Sequence, residues 1–132
     1  MPLRILSAGL PKEVERLIDY YIGFYEASIE EAVSRRDEMD LRSLARDFVT
    51  DVLRSLKDLE NISRPLYEKM YSNREKAFNY LENSLIDLLH DKELLERMEF
   101  GLANPVYAFL VETVNKLLED TGYEYKGMVT AL

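Results

Sequence analysis

The chain contains no cysteine. Disulfides and thiolate-held metals are therefore excluded, and the absence agrees with the reducing cytoplasm expected for this protein. Histidine occurs once, at His90. A di-metal site of the kind built from Glu-x-x-His pairs on two helices of a bundle cannot be completed with one histidine, even though Asp87 precedes it at that spacing. As a catalytic base His90 lacks a nucleophile, for there is neither a cysteine nor a G-x-S-x-G turn, and a place at a helix C-terminus accounts for it. A Walker loop and a G-x-G-x-x-G turn after a strand are both missing, so no phosphate cradle is indicated. No apolar run approaches the roughly 18 residues of a membrane span. The apolar part of MPLRILSAGLPKE is too short and broken for a signal peptide. Basic residues are the minority, with 17 Lys and Arg against 25 Asp and Glu and a net charge of −8. Phosphate binding needs concentrated Lys and Arg, so direct binding of duplex nucleic acid or of an anionic membrane is not expected.

What remains is helical. With 132 residues, 47% of them hydrophobic, one domain spanning 1–132 buries roughly two-thirds of its unfolded surface and needs neither a metal nor another cofactor to fold. The clearest amphipathic stretch is Ser63 to His90, with Tyr67, Met70, Ala77, Phe78, Leu81, Leu85 and Leu88 on one face at about 100° per residue. Ser63 caps it and Pro65 suits its first turn. Ser72-Asn73-Arg74-Glu75 has the form of a capping box, which marks Ser72 as the place for a kink. A first helix is expected over about Pro11 to Arg36 and a second from Asp40, as N-cap, to about Leu59. Asp91 caps a short helix that Gly101 ends, and Asn104-Pro105 opens a last one running to about Asp120. Short connections predict antiparallel packing. The fold class is thus all-α, a compact antiparallel bundle of four to five helices with short extended arms at both ends. The arm Tyr123 to Val129 alternates like a strand and has Leu3 to Leu6 as a candidate partner, but an untethered tail is the default.

Two features stand out as candidate interaction sites. Tyr20, Tyr21, Phe24 and Tyr25 crowd one stretch of the first helix, and the apolar sector centred on Tyr21 spans roughly 200°, twice what a helix covered on one side by its own bundle requires. Tyrosine joins apolar area to a polar tip and is enriched at interfaces. Arg74 projects from the apolar face of the Ser63–His90 stretch, and a guanidinium there must be paired, reach water or bind an anion. Glu93, Glu96 and Glu99 have the E-x-x-E spacing of helical Mg²⁺-dependent nucleotide pyrophosphohydrolases, without a facing E-x-x-D.

Asn73-Arg74 followed by Tyr80-Leu81, on a helix after a long N-terminal helix, resembles a fragment of the helical domain of GINS replication-complex subunits. That likeness implies a replisome assembly subunit without catalysis of its own. The leading expectation is a non-enzymatic helical interaction protein, an oligomeric assembly or adaptor subunit whose partner is a protein or a second copy of itself. The alternatives are that GINS-like subunit, an acidic inhibitor of a nucleic-acid-binding partner, and the Mg²⁺-dependent pyrophosphohydrolase.

Overall fold

The computed structural model describes residues 8–59, 62–101 and 104–127. Along them run β1 (Ala8–Gly9), α1 (Lys12–Ser34), α2 (Glu38–Lys57), α3 (Arg64–Ser72), α4 (Arg74–Leu89), α5 (Lys92–Glu99), α6 (Pro105–Leu117) and β2 (Tyr123–Glu124). Four helix starts are fixed by a side-chain oxygen that accepts an otherwise orphaned backbone N–H. Ser63 takes that of Leu66, Asp91 that of Leu94 and Asn104 that of Tyr107. The fourth corrects the sequence reading: Asp37, not Asp40, caps α2, its Oδ1 accepting from the Asp40 N–H at 3.0 Å. Arg36 ends α1 in the left-handed region (φ 56°), which turns the chain sharply enough for Asp37 to stand in the extended cap conformation.

The described residues hold six helices instead of four or five, because the Ser63–His90 stretch is two. The break falls at Asn73, and no capping box forms there. The Ser72 hydroxyl turns back to the Lys69 carbonyl at 2.8 Å. The Asn73 amide instead donates to the carbonyls of Leu117 and Glu119, at 3.0 and 3.1 Å, where α6 ends. A partner remote in sequence therefore holds the break.

Four helices make the bundle. α1 packs on α2 and α6, and α4 packs on the same two. Tyr21 bonds Ser55 while Tyr25 packs on Phe48, so α1 and α2 run antiparallel. Arg42 reaches Glu82 and Arg46 lies over Phe78, so α2 and α4 do too. Lys76 pairs with Glu119 while Tyr80 meets Phe109, giving the same sense to α4 and the α6 segment. Ile18, Ile29, Leu41, Phe48, Leu56, Met70, Leu81, Leu85, Leu110 and Leu117 fill the centre. Thr113, the buried polar residue among them, donates to the Phe109 carbonyl at 2.7 Å. No buried side-chain polar atom among the described residues lacks a partner.

The C-terminal arm is tethered, against the default expectation. Tyr123 and Glu124 pair in parallel with Ala8 and Gly9. Asn115 stands in for the next strand residue: it accepts from the Tyr125 N–H at 2.9 Å and donates to the Tyr125 carbonyl at 2.8 Å. The Tyr125 ring is 1% exposed, and its hydroxyl donates to Asp19 of α1. Leu3 to Leu6, Met128 and Val129 lie outside the described residues. No helix among the described residues is long and apolar enough to cross a membrane.

Candidate functional site

The aromatic cluster on α1 divides into two pairs. Tyr25 is 4% exposed, packs edge-on against Phe48 and donates its hydroxyl to Asp51 of α2. Tyr21 is half-buried and shares a 2.7 Å hydrogen bond with Ser55. Both belong to the α1–α2 packing and are taken out of the candidate surface. Tyr20 and Phe24 point the other way, 66% and 55% exposed. Their rings stand edge-on to those of Tyr21 and Tyr25, each pair 5.2 Å apart, which fixes their rotamers from below. The chain thus leaves the excess apolar arc of its first helix uncovered at these two rings.

Between Tyr20 and Phe24 lies Gly23, in the middle of a 23-residue helix. Glycine there costs about 0.5–1 kcal/mol relative to alanine. The fold does not call for it: Gly23 is not among the residues with positive φ, and a Cβ on it would meet nothing within 4 Å. Ala27, one turn on, is exposed as well.

Arg74 begins α4 and is partly buried. Its guanidinium lies 3.9 Å from the Tyr71 ring centroid and donates to the Tyr71 carbonyl at 2.9 Å, in the last turn of α3. It lines a groove of about 360 Å³ between α2 and the α3–α4 pair. The α2 wall carries Arg46, Thr50, Arg54 and Lys57; the opposite wall carries Tyr67, Tyr71, Arg74, Glu75 and Phe78; Val49 and Leu53 also line it. Arg46 stacks on Phe78 at 4.2 Å and Tyr67 on Tyr71 at 6.0 Å. The three basic residues of α2 escaped the sequence reading. Their spacing by two and three turns was visible, but only the fold shows that Arg74 faces them.

Titratable groups elsewhere are structural in placement. Burial, and then the bonds to Asp51 and Asp19, push the Tyr25 and Tyr125 hydroxyls above the ordinary phenol range. Burial and the neighbouring Glu30 raise Glu26, which Asn104 partly offsets with a hydrogen bond across to the start of α6. His90 is exposed at the C-cap of α4. Glu93, Glu96 and Glu99 are exposed along α5, and no group of three or more His, Asp or Glu among the described residues is placed to hold a metal ion. A wider cleft of about 630 Å³ near the end of α1 and α5 is lined by Glu30, Arg36, Leu95, Met98 and Glu99 among others. Of the residues behind the GINS likeness, Asn73 and Arg74 form the α3–α4 junction, Tyr80 packs on Phe109 and Leu81 is core.

Comparison of the chain with protein-family models, with curated proteins and with solved structures finds no match in any of the three.

Proposed function

We propose that the protein is a non-enzymatic, cytoplasmic assembly subunit that associates with a second copy of itself through the outer face of α1. The observation that carries the reading is the exposure of Tyr20 and Phe24, at 66% and 55%, on either side of Gly23. Two large rings side by side on a bundle helix are costly to leave in water: an aromatic side chain buries roughly 150–250 Å² in all, and more than half of that is still exposed at each of these two. The rings alone fall short of the roughly 800 Å² per partner of a standard interface, so Arg16, Gly23 and Ala27 enter the contact. Gly23 then has a purpose that the isolated fold does not give it, since a missing side chain lets two helix backbones approach closely. A twofold arrangement is the commonest solution for such a self-complementary patch.

Two substitutions test this separately from folding. Phe24→Asp is expected to turn a dimer into a monomer, read by light scattering at micromolar concentration, with unchanged helical circular dichroism. Gly23→Gln is expected to do the same while raising the melting temperature of the monomer, because a good helix former replaces glycine at an open position. A wild-type protein that is monomeric at several hundred micromolar, about a thousandfold above submicromolar affinities, sinks the reading.

A further inference from the structure

The groove between α2 and the α3–α4 pair is where the charge of this molecule reverses. In a chain of net charge −8, its lining holds Arg46, Arg54, Lys57 and Arg74 against one carboxylate, Glu75. Arg54 is engaged by Asp51 at 3.6 Å. Arg46, Lys57 and Arg74 have no carboxylate within ion-pair distance among the described residues, whereas Arg35, Arg42, Lys76 and Lys116 each find one. Two of the three instead lie over rings, Arg46 over Phe78 and Arg74 over Tyr71. Stacking holds a guanidinium in place; Arg74 spends one N–H on the Tyr71 carbonyl and keeps its others, with those of Arg46, for a planar acceptor.

The shape is elongated. Arg46 to Lys57 runs along α2 for about 16 Å at 1.5 Å per residue. Beyond Lys57 and Tyr67 a neighbouring cavity continues past Leu59 and Ile62 to Arg64. Val49 and Leu53 form a floor that is itself nearly covered, and the partly exposed rings of Tyr67, Tyr71 and Phe78 lie among the cations. We infer that this groove docks an acidic amphipathic helix of a partner protein, with the helix's apolar side on Tyr67, Tyr71 and Phe78 and its carboxylates on Arg46, Lys57 and Arg74. A helix laid in the furrow between two others is a common recognition mode, and guanidinium clusters recognise acidic motifs. Single-stranded nucleic acid fits less well. Tyr67, Tyr71 and Phe78 each already have a ring face taken by a neighbour, so the groove offers cations above an apolar lining and few open faces for bases. The rest of the surface would also repel a polyanion longer than the groove.

The test uses the whole protein and a pool of fluorescein-labelled peptides of about 14 residues, long enough to span the groove as a helix. Each has Asp or Glu at polar positions and Leu, Ile or Phe at i, i+3, i+4 and i+7. Fluorescence anisotropy is expected to show saturable binding that weakens as salt rises. The pair Arg46→Glu and Arg74→Glu should weaken it by about tenfold or more, and the same variant should bind a Lys-for-Glu version of the pool instead. Arg97→Glu, a charge reversal on the exposed face of α5, should leave binding unchanged. No saturable binding by the pool overturns the inference. So does binding that Arg97→Glu weakens as much as the groove pair does. Tight binding of a fluorescein-labelled oligothymidine of similar length, with none of the peptide pool, replaces it with a nucleic-acid site. Phe24→Asp lies on α1 and should not alter the titration, which keeps this result separate from self-association.

Discussion

Two tyrosine hydroxyls are spent on joining α1 to its neighbours. Tyr25 donates to Asp51 and Tyr125 to Asp19. Burial disfavours their phenolate forms first, and the bonded carboxylates add to it, so both titrate above the ordinary 10.0. A group whose folded pKa is raised lends stability that is whole below its unfolded value and is lost as pH climbs past it. The urea midpoint is therefore expected to hold from pH 7 to about 9.5 and to fall above pH 10, where unfolded tyrosine ionises. Tyr25→Phe with Tyr125→Phe should cost about 1–3 kcal/mol at pH 7 by leaving two carboxylates short of a donor. The same variant should flatten the alkaline fall relative to wild type. Equal alkaline slopes for the two proteins in urea melts at pH 8, 9.5 and 10.5 would contradict this account.

At the scale of elements, local chemistry was legible and remote chemistry was not. Ser63, Asp91, Asn104-Pro105 and Gly101 act where the sequence places them, because capping involves residues three or four apart. Asp40 was the wrong cap because it competes with Asp37, and the left-handed turn at Arg36 decided between them. The break near Ser72 was legible as a position, but its cause was misread. Asn73 reaches Leu117 and Glu119, more than forty residues away, and no periodicity announces that contact. The tether of the C-terminal arm was hidden for the same reason, since it depends on Asn115 and Asp19. Within the candidate sites, the aromatic crowding on α1 was visible, but only the packing of α2 separated Tyr21 and Tyr25 from Tyr20 and Phe24. The two accounts of the break make opposite predictions. Asn73→Ala leaves two carbonyls without their donor and should destabilise by about 1–3 kcal/mol. Ser72→Ala removes an exposed bond to the Lys69 carbonyl and should stay within about 0.5 kcal/mol. Urea denaturation of both variants decides it, and a Ser72→Ala effect larger than that of Asn73→Ala would restore the capping box.

At the scale of the whole molecule, the contest is between one cationic groove and the field of an acidic protein. Duplex DNA carries a charge about every 1.7 Å, and a protein gains affinity by releasing counterions from each phosphate it neutralises. The groove offers Arg46, Arg54, Lys57 and Arg74 along one side of two helices. A duplex laid on it would bring many more phosphates against a surface with eight excess negative charges. At physiological salt the Debye length is about 8 Å, so the groove acts only on what enters it, while acids beyond the rim act on the rest of the duplex. A peptide helix confined to the groove avoids that repulsion; a rod about 20 Å across does not, and its phosphates follow a curved path that a narrow furrow cannot track. The protein is therefore expected to show no saturable binding to a labelled 30-base-pair duplex at about 150 mM salt, even at tens of micromolar, where non-specific binders of duplex DNA are already engaged. Lowering salt to about 20 mM should give at most a weak signal that Arg46→Glu with Arg74→Glu abolishes. Submicromolar binding at physiological salt would mean that the groove outweighs the net charge, and the choice of an acidic protein segment over nucleic acid would have to be reversed.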